Sequence, residues 1–204
     1  MAAYAIADGK TFILDATQKF SPAGLTPYPL LNTIAFLVDK KNFRLIRIVN
    51  EKDTYKNSIV VNAKVDNRGQ LSGTAEISST GYAKQVRTEK AKTSVTKFIS
   101  EILQEPGAEL IVDNCTFDNL DDDNKPLVQK AEFHNELNVS GGFIFLNYNL
   151  FTGLSKNLFT ADERFTNVNF GYPYNISMKV NLQLPENYKL DKLPRTKQLR
   201  QPTK

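Results

Sequence analysis

The sequence predicts a mainly β fold, an antiparallel β-sandwich or bent sheet carrying one long amphipathic helix over about 81–105. Three observations point there. Apolar and polar residues alternate over short runs, and turn-forming residues separate those runs. A single stretch, 81–105, has no proline and repeats its apolar residues at helical spacing. Strands grouped around one helix bury their apolar faces most simply as a sheet on which that helix docks.

The elements follow in chain order. Tyr4 to Ile6 and Phe12 to Leu14 flank Asp8-Gly9, a pair suited to a type I′ turn, whose two central residues both need positive φ. Pro22, Gly24, Pro27 and Pro29 then exclude a central strand and predict an extended connection over 18–32. Ile34–Val38 and Phe43–Val49 form a second hairpin about Asp39-Lys40-Lys41-Asn42. In its second strand Phe43, Leu45, Ile46 and Ile48 mix with Arg44 and Arg47, so the pattern leaves the register open. Ser58–Val65 and Gln70–Ser79 form a third hairpin about Asp66-Asn67-Arg68-Gly69. One face of it carries Ile59, Val61, Ala63 and Val65 with Leu71, Gly73, Ala75 and Ile77.

The helix places Tyr82, Val86, Val95, Phe98, Ile99, Ile102 and Leu103 on a core-facing stripe of about six turns. Thr80 is its expected N-cap and Pro106-Gly107 its stop. Strands return at Leu110–Phe117, Leu127–Val139, Phe143–Tyr148 and Tyr174–Leu184. In the second of these Glu132, His134, Glu136 and Asn138 alternate with Phe133, Asn135, Leu137 and Val139, giving one wet face. No internal repeat is visible.

At 204 residues, with 41% hydrophobic and 24% charged, the chain is ordinary for a soluble globular protein. No apolar run approaches the ~18–20 residues of a bilayer span, and the first residues lack the basic start of a secretory signal. The lone Cys115 excludes an internal disulfide and any multi-cysteine metal site. The net charge of +4 concentrates in one place, the tail with Lys189, Lys192, Arg195, Lys197, Arg200 and Lys204 against Asp191. That tail has no aromatic residue after Tyr188, whereas a nucleic-acid-binding surface would interleave the two, so no nucleic-acid partner is expected.

Two stretches resemble a known family. Asp8-Gly9-Lys10-Thr11-Phe12-Ile13-Leu14-Asp15-Ala16-Thr17 resembles the closing strand of a bacterial transglutaminase-like core, which ends in Leu-Asp-Ala/Pro-Thr. The resemblance implies that Asp15 matches the third member of a Cys-His-Asp triad. There a thiolate attacks, an imidazole moves the proton, and the carboxylate fixes the imidazole tautomer. Nearer the C-terminus come Asn157-Leu158-Phe159, Glu163-Arg164, Val168-Asn169-Phe170-Gly171-Tyr172-Pro173, Leu184-Pro185-Glu186-Asn187-Tyr188 and Leu193-Pro194. They resemble the uncharacterised β-rich domain that follows such a core in many multidomain bacterial proteins, and Gly81-Tyr82-Ala83 with Arg87 fits the same pattern.

The resemblance implies three parts: 1–32 as the terminal hairpin and linker of a truncated core, 33–190 as the β-rich domain with its helix, and 191–204 as a disordered basic tail. None of the 14 residues before Asp15 is Cys or His, so Asp15 is an orphan carboxylate and no complete catalytic site is expected. The expected role is a non-catalytic accessory or interaction module, with no cofactor. Its partners would be the missing transglutaminase-like core and a polypeptide or cell-envelope component, and the resemblance implies a periplasmic or cell-envelope location. One alternative is the C-terminal part of a cysteine-dependent transamidase or peptidase whose Cys and His lie upstream. Another is an independent protein- or carbohydrate-binding β-sandwich, which an exposed aromatic platform among Tyr148, Phe151, Tyr172 and Tyr174 would favour.

Three further groups merit weighing. Cys115 sits in a strand rather than at a helix N-terminus or beside a cation, so a replacement Cys115–His134 site is disfavoured. Asp118, Asp121, Asp122 and Asp123 crowd one loop, but Lys125-Pro126 stands where a calcium loop needs a glycine, so a solvated turn is expected and no metal site. Asp15 is read first as purely local, a carboxylate bonded to nearby N–H groups or to Thr17, and second, on the resemblance, as an ancestral catalytic position.

Overall fold

The computed structural model describes residues 2–40, 42–49, 52–104, 109–154, 160, 163, 165 and 170–191. Of these residues 47% are strand and 14% helix, so the fold is mainly β. The expected tail 191–204 lies outside the described residues beyond Asp191, as do Asn157-Leu158-Phe159, Arg164, Val168-Asn169 and Leu193-Pro194.

The first two hairpins form as the turn residues dictate. Strands β1 (Ala3–Ala7) and β2 (Lys10–Leu14) pair antiparallel, with φ of 51° at Asp8 and 71° at Gly9. Strands β3 (Thr33–Asp39) and β4 (Asn42–Ile48) pair through Asp39 and Asn42. Between them the proline-rich connection folds into turns and one 3-10 turn, Tyr28–Leu30, and buries Leu25 and Leu31.

The remaining long strands share one five-stranded sheet in the order β11-β5-β6-β8-β7, built from β5 (Tyr55–Val65), β6 (Gln70–Gly81), β7 (Ile111–Asp118), β8 (Leu127–Glu136) and β11 (Tyr174–Gln183). A short ribbon, β9 (Asn138–Ser140) with β10 (Phe143–Phe145), stands apart from it. Strand β8 stops before Leu137 because its partner β6 begins at Gln70, and the Leu137 N–H instead bonds the Gly69 carbonyl of the turn at 2.9 Å. The sheet is not wholly antiparallel, as the sequence led us to expect: β11 runs parallel to β5 along its full length. A parallel neighbour requires a crossover, and here β6, the helical segment and β7 to β10 all intervene between the pair.

The helical segment also departs from expectation. The single helix over about 81–105 is instead α1 (Tyr82–Thr93), α2 (Val95–Phe98) and a π-helical turn, Ile99–Leu103. The break falls at Ser94, which is extended (φ −166°, ψ 119°) and whose side chain accepts from the Lys97 N–H at 3.3 Å. Thr93 and Ser94 explain it: short hydroxyl side chains compete for backbone partners, and Thr93 Oγ1 already bonds the Glu89 carbonyl at 2.7 Å. Capping at the other end falls to Gly81, with φ 59°, rather than to Thr80.

Helix α1 lies across β5 and β6. The core joins Ile59, Val61, Leu71, Ile77, Ala131 and Phe133 of the sheet to Phe98 and Leu103 of the helical segment. Leu150 and Phe151 close it from the loop after β10, with the Phe151 ring edge-on to Phe133 at 5.2 Å. The apolar face of the β5–β6 hairpin is thereby sealed.

Candidate functional site

Asp15 follows β2, and its carboxylate is turned back on its own chain. Oδ1 accepts from the Thr17 N–H at 2.9 Å and from Thr17 Oγ1 at 2.7 Å. These two bonds, the side-chain one first, lower its pKa. No His or Cys lies against it among these contacts, so the local role accounts for the geometry.

Cys115 and His134 lie on opposite faces of the sheet. Cys115 pairs with Ala131 and shares the core face, packed against the apolar cluster. Burial pushes its thiol up to about 11, against a smaller downward pull from the Arg87 charge. His134 projects from the polar face, with Nδ1 at 2.8 Å from Asp113 Oδ2. The backbone of the sheet separates thiol from imidazole, and a thiol held protonated is a poor nucleophile.

The acidic loop is tied to lysines. Asp118 meets Lys130 at 2.6 Å, Asp121 meets Lys92 at 2.6 Å and Asp122 meets Lys125 at 3.0 Å. Lys84, 6% exposed on α1, donates to the backbone carbonyls of Asp122 at 2.6 Å and Lys125 at 2.8 Å. An ammonium thus takes up carbonyls that a calcium loop would turn to its ion. Among the described residues no three His, Cys, Asp or Glu side chains converge as metal ligands.

Of the four aromatic residues proposed as a platform, the structure brings only two together. Phe151 is core, and Tyr148 is exposed elsewhere. Tyr172 is packed between other rings, stacked on Tyr82 at 4.3 Å and near-parallel to Tyr55 at 6.0 Å. Tyr28 meets it edge-on at 5.2 Å, and Tyr174 lies 5.2 Å away. Burial and the Tyr174 hydroxyl raise the Tyr172 pKa, keeping the phenol neutral. This cluster joins the proline-rich connection, α1, β5 and the start of β11. Gly171 is required there: its φ is 76°, and a Cβ would strike the Tyr28 ring.

The buried face of α1 is polar, which the helical stripe did not foretell. Arg87, 3% exposed, donates to Gln129 Oε1 at 2.7 Å; Gln129 reaches Ser79 Oγ at 3.2 Å, and Ser79 donates to Asn57 Oδ1 at 2.7 Å. Burial lowers the Arg87 pKa, partly offset by the Tyr55 hydroxyl, and its Nε has no hydrogen-bond partner. Arg87 holds the helix to the sheet; only its place beside Gly81-Tyr82-Ala83 had singled it out.

The other unforeseen feature is the β3–β4 ribbon. Its register places Ile34, Phe36 and Val38 opposite Arg47, Leu45 and Phe43, all on one face. That face is open: Ile34 is 70% exposed, Phe36 60%, Val38 64%, Phe43 70% and Leu45 68%. The other face bears Ile46 and the buried Ile48, and a cleft of about 350 Å³ there is lined also by Tyr4, Thr11 and Ile13 of the first hairpin. The sequence did carry a signal, since an Ile34–Val38 run apolar at every position needs cover on both faces, and a separate two-stranded ribbon packed on one side leaves the other bare.

Comparison with known proteins adds one result. A profile described as a domain of unknown function with a solved structure, DUF3858, matches residues 142–203. The chain is similar to that domain over the region holding Phe170-Gly171-Tyr172-Pro173 and β11. No curated protein and no solved structure matches the chain. No helix among the described residues is long and apolar enough to cross a membrane.

Proposed function

We propose that the chain is a non-catalytic interaction module of a transglutaminase-like protein and that the open face of β3–β4 is its docking surface for polypeptide. One observation carries this reading: five large apolar side chains, each 60–70% exposed, on a single contiguous face. They amount to about 600 Å² of apolar surface, at the top of the range for the largest patch on a typical monomer. Such a patch marks an interaction site. The separation of Asp15, Cys115 and His134 supports the non-catalytic part.

The expected partner is a transglutaminase-like core, and the setting a bacterial cell envelope, both resting on the resemblance of 8–17. The test has two arms. Amine incorporation by the purified chain should be absent, with Cys115 unreactive toward a thiol probe until denaturation; turnover abolished by Cys115→Ala would overturn the non-catalytic reading. Titration with a purified transglutaminase-like core should show binding that Leu45→Glu removes, and binding unaffected by Leu45→Glu would overturn the docking surface.

A second reading is favoured by Asp15, whose carboxylate stays ionised at the end of β2. There the chain would lend an orienting carboxylate to a Cys and a His lying upstream. Asp15→Ala would then depress kcat of the longer enzyme, whereas an accessory module would leave it unchanged.

A further inference from the structure

We propose that the open β3–β4 face pairs with the same face of a second copy of this chain, about a two-fold axis, with the ribbon tips pointing in opposite directions. The proposal rests on the docking reading and makes the polypeptide on this face a second copy of the chain, with which a transglutaminase-like core would compete for the same residues.

Area is the first argument. Two such faces brought together would cover about 1,200 Å² in total, at the lower bound for specific interfaces. The ribbon's reverse face borders the cleft it shares with the first hairpin and carries the buried Ile48 with the half-buried Ala35, Leu37 and Ile46, so the open face is the more exposed of the two. It lies outside the five-stranded sheet, on a two-stranded ribbon of its own.

The second argument is the placement of charge. The face has three rows: Ile34 with Arg47 at the base, Phe36 with Leu45 in the middle, Val38 with Phe43 at the tip. Arg47 is its one charged residue. A two-fold axis along the strands would lay base on base, setting each Arg47 over the other copy's Ile34 and both arginines at one end, which costs energy in an apolar contact. An axis along the middle row reverses the strands. Phe36 then meets Phe36 of the other copy, Leu45 meets Leu45, Ile34 meets Val38, and each Arg47 lies over the other copy's Phe43. A guanidinium over an aromatic ring is attractive, and the Phe43 ring is already oriented by stacking on Phe36 at 5.0 Å.

Sedimentation of the full chain from about 1 to about 200 µM tests this, because an interface of this size without deep anchors belongs in the micromolar range. A reversible dimer is expected, weakened at least ~100-fold by Leu45→Glu, which sets two carboxylates against each other. Ile6→Glu, on an exposed position of the first hairpin, should leave it unchanged. A monomer throughout, or a dimer indifferent to Leu45→Glu, overturns self-pairing; the titration with a core polypeptide then decides the docking reading by itself. Circular dichroism of Leu45→Glu checks that the fold persists. For the axis, Leu45→Cys in a Cys115→Ser background should form an intermolecular disulfide on mild oxidation well before Val38→Cys does. Equal rates would overturn the tip-to-base arrangement.

Discussion

Hairpins β3–β4 and β5–β6 are built on the same plan and end in opposite situations. Each is antiparallel, closes through a short polar turn, and sets a row of large apolar side chains on one face. In β5–β6 that row (Ile59, Val61, Leu71, Ile77) is 0–1% exposed beneath the helical segment, whereas in β3–β4 the corresponding row is 60–70% exposed. Alternation decides which side chains share a face; it does not decide what covers that face. Cover comes from elsewhere in the chain: Phe98, Leu103 and Phe151 supply it to β5–β6. Among the described residues the open ribbon carries the longest uncovered apolar row, while Val139, Phe143 and Phe145 of the β9–β10 ribbon are exposed to a lesser degree.

The largest expected effect sharpens this contrast directly. Phe133→Ala, within the closed core at 2% exposure, should cost about 3–5 kcal/mol in chemical denaturation. Phe36→Ala on the open face should stay within about 0.5 kcal/mol for the monomer. Comparable losses at both positions would mean that something in the chain covers β3–β4 after all.

Next comes the polar layer under α1. Arg87→Ala strands the Gln129 acceptor and should cost about 2–3 kcal/mol, while Arg87→Met, which keeps the volume, should recover much of that. A smaller effect concerns pH. Because burial raises the Cys115 thiol to about 11, the stability that the neutral thiol contributes is present below its ordinary pKa and is lost as pH rises through 11. Cys115→Ala should flatten that alkaline decline in thermal melts. The smallest effect belongs to the open region. The Asp15 pKa is lowered, so its contribution is present at neutral pH and lost as pH falls through the folded value. Asp15→Asn should therefore remove a slight acid dependence and little else.

Local chemistry was the legible part of the fold. Asp8-Gly9 and Asp66-Asn67-Arg68-Gly69 specify their turns through residues that tolerate or require positive φ, and the strands on either side follow. The β11–β5 pairing was not legible, because parallel neighbours far apart in sequence leave no local mark. Nor was the break at Ser94, where two hydroxyl residues outweighed a helical repeat of apolar ones. The polar face of α1 escaped for a related reason. Periodicity registers apolar residues, and Val86 and Val95, expected on the core-facing stripe, are exposed while Arg87 and Thr88 are buried. Of the candidate groups, Asp15 bonds Thr17, the local partner that the sequence offers two residues on. The open ribbon was present in the sequence as a run apolar on both faces, a pattern that a hairpin with one covered face cannot satisfy.

Amide hydrogen exchange read by mass spectrometry, at low and at high protein concentration, tests the central claim most directly. The account predicts slow exchange in β5 and β6 at both concentrations. It predicts fast exchange in β3 and β4 when the chain is dilute, slowing when it is concentrated or bound to partner polypeptide. Exchange in β3–β4 as slow as in β5–β6 in the dilute chain would contradict it, because the face would then be covered from within.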